Sequence, residues 1–168
     1  MERIGFSVTQ EIELWQLINP DALQLFNLID RNREHLSQWD DRTAKKYPNL
    51  PSIIKSIVTP EDSNRLRFGI WYQDQLAGAI NLTVYAEEGR ATVGYWVAKE
   101  FSHRGLATMA TTGIINYARQ YLPIKQLEAT VHKQNLYSQK LLQFTGFHRS
   151  GEMTDHICFK LVFDFGKE

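Results

Sequence analysis

The spacing of apolar residues changes period repeatedly along this chain. Val8, Ile12 and Leu14 fall in partial alternation and predict a strand over 7–17. Asn19-Pro20 then offers a capping side chain followed by proline at a first helical position. Leu23, Phe26, Leu28 and Ile29 continue at helical spacing, and a shorter helical piece runs through His35, Leu36 and Trp39. Ile53, Ile54, Ile57 and Val58 predict a third short helix over 52–58, ending before Pro60. The intervening segment 40–51 is polar, basic in its middle and bracketed by Pro48 and Pro51. It reads as a long loop between helices, a candidate lid or substrate-side element.

The middle of the chain switches to strands. They are predicted over 67–72, 76–85 and 91–97, with turns at Gln73-Asp74-Gln75 and Glu87-Glu88-Gly89-Arg90. Connections this short imply an antiparallel meander. A helix follows over 106–121, with Ala107, Ala110, Ile114, Tyr117, Ala118 and Tyr121 on one face and Pro123 beyond its end. The remainder reads as a strand over 127–131, a helix over 135–145 stopped by Gly146, and strands over 147–153 and 156–165. The sum is an α+β fold: a mixed, mostly antiparallel twisted sheet of about seven strands with helices on both faces.

Composition narrows the partners. A length of 168 residues fits one domain spanning 1–168. Nineteen basic residues balance nineteen acidic ones, which argues against nucleic acid as the main partner. The single cysteine, Cys158, excludes an internal disulfide and fits a reducing cytoplasm. The first residues lack the apolar run of a signal peptide, and no window approaches the ~20 apolar residues of a membrane span. The five histidines show no metal-ligand spacing, so no metal is expected.

The strongest chemical signal is Ser102-His103-Arg104-Gly105-Leu106-Ala107, set between the strand Gly94-Tyr95-Trp96-Val97 and the 106–121 helix. A helix opening at a glycine turn presents unpaired N–H groups and a positive dipole end, which suits a phosphate. Gly105 allows close backbone approach, and His103 and Arg104 add donors beside it. The same hexapeptide also serves as an ordinary strand-to-helix loop. Neither Gly-x-x-x-x-Gly-Lys-Ser/Thr nor Gly-x-Gly-x-x-Gly occurs, so P-loop and Rossmann chemistry are excluded. A second helix start, Asn135-Leu136-Tyr137-Ser138, lies thirty residues beyond Gly105. Alone it is plain capping; with the first turn it defines two sides of one ligand site.

In these motifs the chain resembles the GNAT superfamily of acyl-CoA-dependent N-acetyltransferases. The family pattern Arg/Gln-x-x-Gly-x-Gly/Ala is met at Gly105 and Ala107, while Ser102 departs from it. Asn135-x-x-Ser138 followed by Gly146-Phe147 is the downstream match. Gly94-Tyr95-Trp96-Val97 and Asn32-Arg33-Glu34-His35-Leu36 are similar to the branch that acetylates ribosomal-protein N-terminal serine or alanine, in which dimers are common. The resemblance implies acetyl-CoA in a cleft between the splayed strands ending at Val97 and Val131. It gives the pyrophosphate to the backbone of His103, Arg104, Gly105, Leu106, Ala107 and Thr108, and the pantetheine arm to Trp96, Val97 and Asn135. The acceptor is a primary amine, a protein α-amine or a small molecule. A non-catalytic acyl-CoA-binding module of the same fold is the alternative.

Amide formation needs an oxyanion donor, a proton source for the departing thiolate and a base. A backbone N–H near Val97 is the oxyanion candidate. Many GNAT enzymes place a tyrosine one turn into the last helix as the acid; Leu142 stands there, which leaves Ser138, backed by Tyr137 or water. Glu128 alternates away from Leu127, Ala129 and Val131, so it faces the acceptor cleft or is a solvated or structurally paired carboxylate. Asp155 and His156 are the other base candidates, on a final hairpin shorter than related enzymes carry. Trp39, followed by Asp40 and Asp41, is either a core residue or an aromatic wall for a cationic amine.

Overall fold

The computed structural model describes residues 2–165, apart from the side chain of Asp40. Among the described residues, eight strands form a single sheet in the order β1-β2-β3-β4-β5-β6-β8-β7. They are β1 (Gly5–Ser7), β2 (Ile12–Gln16), β3 (Arg65–Tyr72), β4 (Gln75–Tyr85), β5 (Arg90–Val97), β6 (Gln126–His132), β7 (His148–Glu152) and β8 (His156–Val162). Every pairing is antiparallel except that of β5 with β6. The α+β reading holds, with one strand more than expected. Segment 7–17 is a hairpin rather than one strand, because Thr9 Oγ1 accepts from the N–H groups of Glu11 and Ile12 and closes a turn there.

Six α-helices of the described residues cover the two faces: α1 (Ala22–Asp30), α2 (Arg33–Leu36), α3 (Thr43–Lys46), α4 (Leu50–Val58), α5 (Leu106–Tyr121) and α6 (Leu136–Phe144). The expected cap at Asn19 is not used. Asp21 Oδ2 instead accepts from the Ile18 N–H at 2.9 Å and pairs with Arg3 at 2.8 Å, and a short 3-10 turn, Asn19–Asp21, precedes α1. The segment expected as a loop over 40–51 carries α3 and the first residues of α4, which Asn49 caps through its side chain.

Alternation along the strands divides the core in two. Val93, Leu127, Ala129 and Val131 pack with Ile114, Leu141 and Leu142 against α5 and α6. Trp96, Ala79 and Leu76 pack on the opposite face with Leu25, Leu28 and Ile53 from α1 and α4. Facing changes within β4 because the β3 register jumps, with Ile70 opposite Gly78 and Trp71 opposite Leu76, so Ala77 is bulged out. That bulge accepts from the Ala98 N–H at 2.8 Å, beside the end of β5.

The parallel pairing of β5 with β6 is short. It joins Arg90 to Gln126, Ala91 to Leu127 and Thr92 to Glu128. Beyond that rung the strands part, and the functional cavity opens in the gap.

Candidate active site

Residues 93–97 of β5 and 129–132 of β6 wall a cavity of about 670 Å³. The α5 start contributes Gly105, Leu106 and Ala107, and α6 contributes Tyr137 and Ser138 after its cap Asn135. His35, Trp39 and Asp41 close the other side. The expected splay between β5 and β6 is therefore present.

Gly105 sits at the N-cap of α5 with φ +74°, and a Cβ there would meet nothing within 4 Å. The first helical bond is Met109 N–H to Gly105 C=O at 3.0 Å. The amides of Leu106, Ala107 and Thr108 precede it and have no intrahelical acceptor. His103 also holds a left-handed φ of 62°, which bends the loop over the helix start. An open, uncharged cradle of amides at a helix N-terminus fits a pyrophosphate. Arg104 turns elsewhere: its guanidinium lies over Tyr72 at 5.6 Å and Phe101 at 6.0 Å, outside the cavity wall. The Thr108 side chain is not part of the wall either.

The end of β5 is held from both edges. The Ala98 N–H bonds Ala77 in β4, so alternation turns the amide groups of Val97 and Tyr95 toward the gap. His35 Nε2 lies 3.1 Å from the Val97 carbonyl oxygen, which accepts from it. Buried Asn32 donates to the Leu28 carbonyl and accepts from the Lys99 N–H, both at 2.8 Å. Arg33 reaches the carbonyls of Ala44 and Tyr47 at 2.8 and 3.0 Å. The run Asn32-Arg33-Glu34-His35-Leu36 thus ties α1, α3 and the strand end together and aims one imidazole into the cavity.

On α6, the Ser138 N–H donates to Asn135 Oδ1 at 3.2 Å, so Asn135 is an N-cap. Ser138 is buried, and its hydroxyl hydrogen-bonds the Tyr95 hydroxyl across the gap. Burial pushes the Tyr95 phenol up to about 12, the larger influence over its bond to Ser138. Sequence reasoning missed this tyrosine as a site residue, although its position on the 91–97 strand was available. Leu142 is fully buried in the core.

The acceptor side gathers aromatic and imidazole rings. Trp39 is 44% exposed, which removes the core reading, and its ring lies 5.6 Å from that of His132. His132 lies 5.4 Å from His156, which faces it from β8. His132 Nδ1 accepts from the Gln134 N–H at 3.1 Å. Gly94 supplies no side chain, and a Cβ there would meet nothing within 4 Å, so the floor between these rings is open.

Two base candidates fall outside the cavity wall. Glu128 is on the expected face but on the last paired rung, where its carboxylate meets Arg90 Nη1 at 2.9 Å. Asp155 is exposed at the β7–β8 turn, held there by its carbonyl bond to the Lys133 N–H. His156, one residue on, lines the cavity. Among the described residues, no group of three or more His, Cys, Asp or Glu side chains is placed to hold a metal ion. No described helix is long and apolar enough to cross a membrane.

Comparison with known proteins agrees with this fold. The chain is 28% identical over 155 residues to "Putative ribosomal N-acetyltransferase YdaF" of Bacillus subtilis (strain 168), covering 88% of this chain and 84% of that protein. A structure of RimL, a ribosomal L7/L12 alpha-N-protein acetyltransferase, in complex with coenzyme A superposes with TM-score 0.88 at 17% identity, covering 97% and 99% of the two chains. The ribosomal-protein-S5-alanine acetyltransferase of Vibrio fischeri superposes with TM-score 0.87 at 18% identity, over 98% and 100%. These last two likenesses are of fold. The model of the acetyltransferase (GNAT) domain matches residues 12–148, and the chain belongs to that family.

Proposed function

We propose that this acetyltransferase moves acetyl from acetyl-CoA to a protein N-terminal α-amine, by direct attack within a ternary complex. The observation that carries the reading is the single cavity in which the open α5 cradle, the freed edge of β5, Ser138 and His156 meet. Backbone amides of residues 103–108 would hold the pyrophosphate, with Arg104 and Thr108 contributing main chain only. The β5 edge at Tyr95 and Val97 would hold the pantetheine arm, since the Trp96 backbone groups face β4 instead, and Asn135 would approach it from α6. The Val97 N–H is the donor for the developing oxyanion, fixed in place before reaction and therefore effective.

His156 is the base in this scheme. It stands in the cavity wall where Glu128 and Asp155 do not, and imidazole suits proton transfer near neutral pH. As nitrogen bonds to the acetyl carbon, the C–S bond breaks, the amine proton passes to His156, and Ser138 supplies a proton to sulfur. Trp39, His35 and His132 form the wall the acceptor enters against. A protein N-terminus is favoured over a small amine by the ribosomal acceptor named for YdaF and for the superposed structures. With such an acceptor the site of action is the cytoplasm.

Initial rates with both substrates varied, across ribosomal N-terminal peptides and small amines, test this. Intersecting lines with a peptide acceptor are expected. Parallel lines would overturn direct transfer, and turnover confined to small amines would overturn the acceptor.

A further inference from the structure

We propose that Tyr95 is the proton source behind Ser138, so that the thiolate is protonated through a Tyr95–Ser138 pair spanning the β5–α6 gap. The inference rests on the acetyl-transfer reading above.

A serine hydroxyl is a much weaker acid than a thiol, so alone it protonates a thiolate poorly. Ser138 is not alone. Its hydroxyl is bonded to a phenol from another strand, and both side chains line the cavity. A phenol is a far stronger acid than an alcohol. Tyr95 therefore donates to Ser138 Oγ, and the Ser138 hydroxyl hydrogen is left to point at sulfur.

As the C–S bond breaks, one proton moves from Ser138 to sulfur and one from Tyr95 to Ser138. The product is a neutral thiol, with the negative charge carried by the phenolate. His156 holds the proton lost by the amine. Phenolate and imidazolium then exchange that proton through solvent, and the cycle closes. Ser138 is the third residue of α6, where the helix dipole favours negative charge during the transfer.

Burial keeps the phenol protonated before the transfer and works against the phenolate left after it, which the N-terminal end of α6 offsets in part. Tyr137 on α6 is the other titratable side chain acting on it. The cavity wall also holds the titratable side chains of His35, Asp41, His103, His132 and His156, of which only His132 comes from β6 and none from α5. Leu142 cannot substitute, being buried in the core. The proton is thus supplied from β5. Tyr95 acts through Ser138 and is a positioning residue.

The test compares Tyr95→Phe, Ser138→Ala and the double variant at saturating acetyl-CoA, with melting temperatures recorded for each. Tyr95→Phe should lower kcat on the order of tenfold and leave the KM for acetyl-CoA within about twofold. The double variant should be no slower than Ser138→Ala, because the two act as one unit. A ring-fluorinated tyrosine at position 95 keeps the shape and lowers the phenol's pKa. Its kcat should fall on the alkaline side where that of Tyr95 stays level. Unchanged kcat in Tyr95→Phe, losses that multiply in the double variant, or an unmoved pH profile would each overturn the proposal. Wild-type turnover tests the acetyl-transfer reading separately, and the ratios to wild type test the pair.

Discussion

Glu128 and Arg90 meet at 2.9 Å on the last rung where β5 and β6 remain paired. The carboxylate closest to the cavity along β6 is therefore already matched, just below the point where the strands part. A half-buried ion pair at the rim of the sheet still reaches solvent and contributes modestly to stability. Glu128→Gln should leave kcat within about twofold of wild type, whereas His156→Ala should lower it by on the order of a hundredfold, as expected for a lost general base. Steady-state kinetics at saturating substrates measure both. The reverse ranking would return the base to Glu128.

The α5 cradle binds by main chain, which sets a second ranking. Gly105→Val places a branched side chain at φ +74° and points it into open cavity space. The left-handed backbone alone costs about 1–2 kcal/mol, and the Cβ obstructs the amides. Acetyl-CoA affinity should fall by more than about tenfold, or roughly 1.4 kcal/mol. Arg104→Ala removes a guanidinium that covers Tyr72 and Phe101, so affinity should change by less than about threefold. Isothermal titration of acetyl-CoA distinguishes them. Equal losses would mean that the Arg104 charge, not the open backbone, holds the ligand.

Asn32 is a structural prediction. Its side chain is buried and bonds one backbone carbonyl and one backbone N–H, joining the end of α1 to the turn after β5. Asn32→Ala leaves both groups without that partner and should cost about 2–4 kcal/mol. Urea unfolding measures it. A loss under about 1 kcal/mol would show that water replaces the side chain freely.

Tyr95 gives stability a pH dependence. Its pKa rises from 10.0 in the unfolded chain to about 12 in the fold, because burial disfavours phenolate. The raised value means the folded state keeps its proton longer. The contribution is complete below pH 10, shrinks as the unfolded chain ionises more readily, and is lost as pH passes about 12. Across that window, wild type should lose about 2–3 kcal/mol more than Tyr95→Phe. Parallel curves for the two proteins would contradict the burial of this phenol.

Much of this was legible in the sequence, and the misses have physical causes. The helix over 106–121 matched α5 because its apolar spacing is long and uninterrupted. The face of Glu128 was also legible, since alternation fixes which side a strand residue takes. Its height relative to the splay was not, because that depends on where two parallel strands stop pairing. Tyr95 and Ser138 are 43 residues apart, and no local pattern announces that a strand and the first turn of a helix will meet. His35 was visible only as part of a run resembling relatives, while its bond to Val97 is a tertiary fact. Segment 7–17 reads as one strand in the sequence because its alternation continues across a side-chain turn at Thr9.

The central claim is that the β5–β6 gap transfers acetyl rather than merely holding its carrier. The direct measurement incubates the protein with acetyl-CoA and N-terminal peptides and follows free CoA thiol and acetylated peptide together. Equal, catalytic amounts of thiol and of peptide acetylated on its α-amine are predicted. Tight binding of acetyl-CoA with no product from any peptide or amine would contradict the account.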